Sequence, residues 1–559
     1  MGVVIPEGDK MEEVVKNLKK IADGVGKTQK AIDLAAQSSL DGTNTTQVFW
    51  AWFAAAQDGV TSKYDLLCRF ANIAAAAWHN KTYGLEWYYY TQSGNTSMTP
   101  TGDLADKSAA QLCTESTSPV ADWADEDPMT WYIRANALSN ADGTMNITAF
   151  EGEPEFDLSG ESAPVYRFSL ALYKRTHNDG TYNYKAFRTT PALDFEPMAG
   201  DISPAGTRRP ITWQPCFGGG LNSEGNLTSG AGRKPYVFAS AAAGNTAAKK
   251  WSNYEGLWTD CASIWLLDMW QLRHFNTENS GICEGCTSYS IDKTAAVSET
   301  GVKRVVLTTS DASGYLVGSA VSVGSSSRAS GNPILQITSI TDVTIDNTAY
   351  KAINLDVPDG SEFDTTAGTT HIATMPWFSG ATEALPGHKD GCINSLTAGK
   401  GPARIAGVEI LDGAYVLQLD PLMNITSVSL DGAVYDLYVQ RNSENLASAV
   451  TNYTKVGSVT VPIMNNNPTS GEWIYIKQLL DNPEVMFPDE FGGSSTTYLK
   501  SAFYRSGSVG VRAPWRFGSL SNGGYAGLAC LYGGSSPSDS NWYSRPRLGD
   551  SGKKRGELA

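Results

Sequence analysis

Few residues of this sequence have the types and spacing that catalysis or metal binding requires. Cys283 and Cys286 form a CxxC pair, but a zinc site needs a second pair of ligands at matching spacing, and none lies nearby. The eight cysteines are too sparse for a disulfide scaffold, so we interpret them as small buried apolar residues. The histidines stand far apart, at His79, His177, His274, His371 and His388. We therefore expect no metal, no cofactor and no enzymatic activity.

The residue types that stand out are those of a binding surface, and they lie between 515 and 548. This segment, WRFGSLSNGGYAGLACLYGGSSPSDSNWYSRPRL, is rich in Ser, Gly, Tyr and Asn and contains no Lys or Glu. Tyr offers a large rigid contact area at low entropic cost, and Ser, Gly and Asn offer adaptable hydrogen bonds. A Gly- and Ser-rich loop with incidental tyrosines is the alternative. The candidate ligand-binding residues are Ser519, Ser521, Tyr525, Tyr532, Gly533, Gly534, Ser535, Asp539, Tyr543 and Ser544.

Large apolar residues are interleaved with these candidates and predict a scaffold that holds them. Alternation in GLACLY predicts that Leu528, Cys530 and Tyr532 share one side of a strand, without indicating which side is the core. We expect Arg545 and Arg547, together with Asp550, to hold the end of the segment. The predicted scaffold residues are Trp515, Phe517, Leu520, Ala526, Leu528, Ala529, Leu531 and Trp542.

Helical patterns precede this segment at two places. The stretch from Gly256 to Ser280 predicts a helix with a wide buried face, which leaves Asp260 and Asp268 for its polar side. Near the start of the chain, apolar residues recur at alternating spacings of three and four and predict a short coiled coil; a single amphipathic helix docked on its own domain is the alternative. The coiled-coil positions are Met11, Val14, Leu18, Ile21, Val25 and Ile32.

Composition limits the possible partners. The chain has 559 residues and a formal net charge of -15, without a Lys/Arg stripe, so we expect no binding to nucleic acid. Its apolar runs are shorter than the roughly 18 residues of a membrane span, and it begins without the pattern of a secretory signal. We therefore expect no membrane insertion and synthesis in a cytoplasm.

Three stretches resemble the variable proteins of diversity-generating retroelements, in the form found in phage tail-fibre and tropism-determinant proteins. They are TSYSIDKTAAVSETGVKRVVLTTSDASGYLVGSAVSVG from Thr287, GVEILDGAY from Gly407, and the 515–548 segment followed by SGKKRGE. The resemblance covers the second half of the chain, and the first half is compatible with it. It implies a C-type-lectin-like fold whose terminal strands display diversified residues that bind host receptors.

The same resemblance accounts for the restricted alphabet of the segment. In such systems the adenines of a template are randomised, so that an AAY codon for Asn can become Ser, Gly, Tyr, Asp, Thr or Ala, but never Lys or Glu. All ten candidate residues belong to that set. The resemblance also implies a phage virion protein, made in the host cytoplasm, that binds a host bacterial surface protein or glycan. It further implies attachment to other virion proteins through the first residues and a homotrimer, because fibrous phage proteins are commonly trimers.

The predicted fold class is mixed α+β and β-rich. The predicted divisions are a coiled coil at 1–40, a helical and β-rich intermediate region at 41–204, a lectin-like domain at 205–299 and 376–559, and a small inserted β domain at 300–375. Two other functions stay open. One is a tail or head-fibre protein without a receptor; the other is a polysaccharide depolymerase whose carboxylates meet only in space. Related lectin-like oxidases need two close cysteines late in the chain, where only Cys530 occurs.

Overall fold

A computed structural model describes residues 29–40, 44–56, 62–117, 122–203, 206–387 and 389–549. It is 16% helical and 34% strand, which confirms the prediction of a β-rich, mixed α+β fold. None of the helices in these ranges is long and apolar enough to cross a membrane.

Three helices open the described chain: α1 (Gln29–Ser39), α2 (Thr45–Ala56) and α3 (Lys63–Ala77). α2 is apolar on all sides, and its Trp52 is fully buried. Ile32 of α1 is also buried, in a hydrophobic core that it shares with α2 and α3. This last coiled-coil position therefore packs within its own chain; the other five lie outside the described residues.

The intermediate region contains two antiparallel sheets, with strand orders β2-β1-β8-β7-β9 and β10-β6-β4-β5. β10 pairs with β6, so this sheet contains strands from both sides of the predicted boundary at 204. The elements are β1 (Tyr83–Tyr88), β2 (Thr99–Gly102), β3 (Leu112–Cys113), α4 (Trp123–Glu126), β4 (Tyr132–Ser139), β5 (Met145–Phe150), β6 (Val165–Leu170), β7 (Tyr173–Asn178), β8 (Tyr182–Arg188), β9 (Glu196–Pro197), β10 (Ile211–Pro215), and the hairpin β11 (Gly219–Leu221) and β12 (Leu227–Ser229).

The helix predicted within 256–280 is present and lies in the core. After a short α5 (Ala241–Ala248), α6 (Asp260–His274) begins at Thr259, whose side chain accepts a hydrogen bond from the Ala262 N–H, as N-cap residues do. The prediction that Asp260 and Asp268 form a polar side is wrong, because both are buried. Each carboxylate is instead neutralised by buried or half-buried cations, which the sequence pattern of one helix does not reveal.

Residues 292–375, called the insert below, form a six-stranded sheet in the order β13-β20-β16-β17-β18-β15. The sheet encloses a hydrophobic core of its own, which includes Val305, Val321 and Ile353. It starts before the predicted boundary at 300, because β13 pairs with β20. The elements are β13 (Asp292–Thr294), β14 (Glu299–Val302), β15 (Arg304–Thr308), α7 (Thr309–Ala312), β16 (Ala320–Gly324), β17 (Ile334–Ile345), β18 (Thr348–Leu355), β19 (Phe363–Thr365) and β20 (His371–Met375).

The remaining strands form three sheets. Their orders are β23-β22-β21-β3, β27-β26-β25-β31 and, with seven strands, β29-β28-β30-β33-β32-β24-β34. The strands are β21 (Asp390–Cys392), β22 (Ala403–Ile405), β23 (Val408–Ile410), β24 (Tyr415–Leu417), β25 (Pro421–Ser429), β26 (Gly432–Val439), β27 (Thr454–Val461), β28 (Glu472–Leu479), β29 (Pro488–Phe491), β30 (Ala502–Arg505), β31 (Gly510–Arg512), β32 (Trp515–Arg516), β33 (Leu531–Tyr532) and β34 (Ser544–Pro546).

Candidate ligand-binding surface

The segment 515–548 supplies three strands of the seven-stranded sheet. β32 pairs with β24 on one side and with β33 on the other, and β34 pairs with the far side of β24. Both ends of the segment are therefore hydrogen-bonded to the same strand, β24. The residues between these ends either join the sheet as β33 or form the loops that connect the three strands.

A buried ion pair anchors the first end. The Arg516 guanidinium donates to both carboxylate oxygens of Asp260, with N···O distances of 2.9 and 2.7 Å, and also to Gln418 Oε1 at 3.1 Å. Both charged side chains are almost completely shielded from solvent. Removing one partner of such a pair typically costs about 3–5 kcal/mol, because the other charge stays buried without compensation. Arg516 therefore holds β32 to the first turn of α6.

A second buried ion pair anchors the other end. Arg545 binds the carboxylate of Asp412 and donates to the Trp377 carbonyl at 3.2 Å. Arg547 donates to the backbone carbonyls of Pro215 and Glu409. Both arginines therefore hold the end of the segment through these groups, and the predicted role of Asp550 lies outside the described residues.

The middle of the segment is held by the loop that follows α6. The Leu528 N–H donates to the Glu278 carboxylate and to Asn279 Oδ1. Ser280 Oγ donates to the Ala526 carbonyl at 2.6 Å. Gly527 lies between them at φ +146°, where a Cβ atom would collide with Glu278. Residues 526–528 are therefore needed for the fold rather than for contact with a ligand.

Most of the predicted scaffold residues are buried. Those fully or almost fully buried are Trp515, Phe517, Leu520, Ala526, Leu528, Ala529 and Leu531. Trp542 differs, because it is half-buried. The predicted alternation of sides in GLACLY is not observed. β33 has only two residues, and the neighbouring residues Leu528 and Ala529 are both buried.

The ten candidate ligand-binding residues divide by exposure. Ser521, Tyr525 and Asp539 are exposed, and Tyr532, Gly534 and Tyr543 are half-buried. The remaining four are buried: Ser519, Gly533, Ser535 and Ser544.

The four buried candidates lie below the surface in this conformation, where they contact other parts of the protein. Ser519 Oγ donates to Asn522 Oδ1 at 2.8 Å and so helps to form the turn that leads to Tyr525. The backbone N–H of Gly533 donates to the Tyr504 carbonyl, and the Ser535 carbonyl accepts from Ala513. These residues were predicted to bind a ligand from composition alone. Composition does not separate the two roles, because small polar residues suit both tight backbone packing and binding loops.

Four aromatic residues form a row across neighbouring strands, called the aromatic row below. Trp473 of β28 pairs with Tyr504 of β30, Tyr504 pairs with Tyr532 of β33, and Tyr532 pairs with Trp515 of β32. The rings of Tyr504 and Tyr532 stack with centroids 4.4 Å apart. The row begins with the buried Trp515 and reaches the half-buried Trp473. Burial raises the pKa of Tyr532 to about 12, so its hydroxyl stays protonated at neutral pH.

The exposed end of the row is completed by Tyr525. Its ring stacks on Trp473, with centroids 5.2 Å apart and an interplanar angle of 5°, and lies 5.4 Å from the ring of Tyr475. Sequence reasoning missed Trp473, Tyr475 and Tyr504. Strand alternation was the available signal, because Ile474 and Phe503, beside them in sequence, are buried.

The insert contacts the segment on a different side. The Arg328 guanidinium lies 4.3 Å from the ring centroid of Trp542. It is held there by hydrogen bonds to the carbonyls of Thr374 and Ile291, at 2.9 and 2.8 Å. Just before the insert, the Tyr289 N–H donates to the Leu520 carbonyl at 2.8 Å. The insert and the residues before it therefore support the loops of the segment.

The cysteines do not present a reactive thiol at this surface. Cys530 is fully buried, and this burial raises the pKa of its thiol far above the usual range. Cys283 lies 3.1 Å from Cys392 rather than beside Cys286 in a reactive pair. Its hydrogen bond to Cys392 and its burial raise the pKa of Cys283 well above the usual value. These thiols therefore stay protonated and shielded at neutral pH.

Within the described ranges, no group of three or more His, Cys, Asp or Glu side chains is arranged to hold a metal ion. No protein-family model matches the chain, and no curated protein is significantly similar to it. The arguments about function therefore rest on the geometry above and on the sequence patterns.

Proposed function

We propose that the protein is a phage receptor-binding protein whose surface around Tyr525 binds a protein or glycan on the host bacterium. The observation that supports this most is the aromatic row, in which Tyr532 of the 515–548 segment continues the aromatic side chains of two other strands. Rigid strands hold the row, and its outer end is accessible. Aromatic anchors on a preorganised support are the residues that most often dominate binding energy.

The anchoring of the segment supports its use as a diversified surface. Arg516, Arg545 and Glu278 fix its two ends and its middle through groups that lie in the protein interior. Substitutions at Ser521 or Tyr525 would leave all three anchors intact. A surface with this division of roles tolerates many side chains without loss of the fold.

The finer assignment of the fold belongs to the same proposal. Residues 205–299 and 376–559 form a C-type-lectin-like domain, interrupted by a small β domain at 300–375, and residues 1–40 form a coiled coil that makes a homotrimer. The same residues 1–40 attach the trimer to other proteins of the tail or fibre in the virion. Support comes from the pairing of β32 and β34 with the same strand, which presents the intervening loops together.

The neighbouring DNA tests diversification directly. A near-copy of the coding sequence for 515–548 should lie beside a reverse-transcriptase gene and differ almost only at adenines. The differences should fall in codons for exposed or half-buried residues such as Ser521, Tyr525 and Tyr532, while the codons for Arg516 and Arg545 match. The lack of a near-copy, or differences spread equally over the anchor codons, would contradict the proposal.

A structural protein of the tail or head fibre and a polysaccharide depolymerase are the alternatives. Incubation of the purified protein with capsule from the host separates the second from receptor binding. Release of new reducing ends would favour the depolymerase. Binding to capsule or cells without such release would favour the receptor-binding protein, and no binding at all would favour the purely structural one.

A further inference from the structure

A cleft of about 530 Å³ lies away from the aromatic row, between the first β-sheet, α6 and the end of β28. Pairing between strands places six of its lining residues on one face of the sheet: Trp87, Lys174, Thr176, Asn178, Asn183 and Lys185. Sheet faces turned toward a helix are normally apolar, since they pack as core. Here the part of the face that lines the cleft is largely polar, and a space remains between it and the helix.

The floor of the cleft is a fixed polar cluster. Asp268 of α6 accepts hydrogen bonds from Lys185 at 2.6 Å and Lys174 at 2.7 Å. Burial alone would raise the pKa of Asp268, but the two ammonium groups outweigh this and lower it, so the carboxylate stays charged. The half-buried Lys174 has N–H groups to spare for a ligand, because an ammonium has three donors.

Aromatic rings and amides form the walls. Trp87, Tyr90, Tyr498 and Gln478 line the cleft. Gln478 Oε1 is shielded from solvent and accepts no hydrogen bond from the residues that the structure describes. Aromatic faces next to donors and acceptors of both kinds match a sugar ring, which combines apolar C–H faces with a rim of hydroxyl groups.

We propose that this cleft binds an oligosaccharide, independently of the aromatic row. Its volume suits a few sugar units, since small-molecule sites span about 300–1,000 Å³. A peptide added as a strand would need a free sheet edge, whereas the cleft lies against the face of β1, β8 and β7. Asp268 holds the two lysines of the floor in place through its ion pairs.

The experiment uses the intact protein and three defined probes: cellohexaose, chitohexaose and a hexamer of galacturonic acid. Saturation-transfer NMR followed by calorimetry should show that at least one of them binds with a Kd below about 1 mM. Thr176→Arg should weaken this binding at least tenfold. Thr176 is exposed, and its Oγ1 lies 3.3 Å from Asp481 Oδ1 across the cleft. An arginine at this position would pair with the Asp481 carboxylate and occupy the space of the sugar.

Thr246→Arg, at an exposed position outside the cleft, is the matched control and should bind the probe like the parent protein. Trp87→Ala is a second variant, used together with a thermal melt to show that it folds. The proposal is overturned if none of the three probes binds, or if binding survives Thr176→Arg and Trp87→Ala. Loss of probe binding in Tyr525→Ala alone would also overturn it, since the sugar would then occupy the aromatic row.

Discussion

Tyr525 is the residue whose replacement best separates binding from folding. It is 37% exposed and contacts the sheet mainly through its stack on Trp473. Tyr525→Ala should change the free energy of unfolding by only about 0.5 kcal/mol, as for surface sites. Loss of a central aromatic anchor should cost about 2 kcal/mol or more in binding. Thermal melts and adsorption to host cells measure the two effects, with Tyr350→Ala in the insert as the control.

Trp515 should behave in the opposite way, because its indole is buried at the inner end of the aromatic row. Trp515→Ala should lower stability by about 3–5 kcal/mol through the cavity that it leaves. Tyr532 lies between these extremes, since it is half-buried and stacks on Tyr504. A Trp515 variant that melts like the parent, or a Tyr525 variant that melts many degrees lower, would show that the two roles are reversed.

Asp390 should determine part of the response to acid. Burial alone would raise the pKa of Asp390, but Arg273 and His274 outweigh it and lower the pKa from 3.8 to about 2. A carboxylate with a lowered pKa stabilises the fold above its unfolded pKa and loses this effect as pH falls through its folded pKa. We expect the free energy of unfolding to fall by about 2 kcal/mol from about pH 4 to pH 2 because of this group.

Denaturant unfolding at a series of pH values measures this effect. Asp390→Asn should be less stable at neutral pH, because Arg273 then stays buried without its partner, and its stability should vary less between pH 4 and pH 2. Asp431→Asn, in an exposed turn, is the control and should keep the parent profile. An unchanged slope in Asp390→Asn would mean that other carboxylates cause the acid response.

Sequence patterns predicted single residues best where burial follows from size. The large apolar residues of 515–548 were recognised as scaffold, with Trp542 as the exception. Small polar residues were not separable, because Ser521 and Ser519 have the same side chain and opposite exposure. Trp473 and Tyr504 were missed, because their alignment with Tyr532 depends on pairing between strands far apart in the chain.

At the scale of elements, the insert should be removable. Its first and last strands, β13 and β20, pair antiparallel, so a short linker can join the chain ends that the deletion leaves. Deletion of 292–375 should give soluble protein, because the insert has a core of its own. Binding to host cells should weaken, since Arg328 no longer supports Trp542.

The matched comparison for this deletion is Arg328→Ala in the full chain, which removes the support and keeps the insert. It should weaken cell binding by a similar factor. A cut inside α6 serves as the opposite control and should abolish folding, because that helix lies in the main core. Insoluble protein from the clean deletion would show that Val237, which packs against Ala320 and Ile334 of the insert, requires that cover.

Helices and strands were easier to predict than the pairing and packing between them. The helix within 256–280 and the strands of the insert followed from apolar periodicity and turn residues. The pairing of β10 with β6 across position 204 was not predicted, because no local pattern encodes it. The buried ion pair between Asp260 and Arg516 joins residues so distant in sequence that neither predicts the other.

At the scale of the whole molecule, the proposed homotrimer can be tested by mass. Light scattering of the intact chain at micromolar concentration should give three times the 59.9 kDa of one chain. Replacing Leu18 and Val25 by Asp should give the monomer mass, because charged residues at these coiled-coil positions oppose association. Met464→Asp, at an exposed apolar position, is the control and should stay trimeric. A monomer mass for the parent would contradict the proposal.

The order of strands in the seven-stranded sheet also bears on how the protein is made. β33 and β32 lie between β30 and β24 and follow both of them in the chain. Until the ribosome has synthesised residues 515–548, β24 is separated from the strands β29, β28 and β30. Both parts then have unpaired edges, which are prone to aggregate. These same residues are the proposed variable ones. Each new variant must therefore complete the sheet before it can bind a receptor. Variants that fail would be lost to misfolding before they ever meet a receptor.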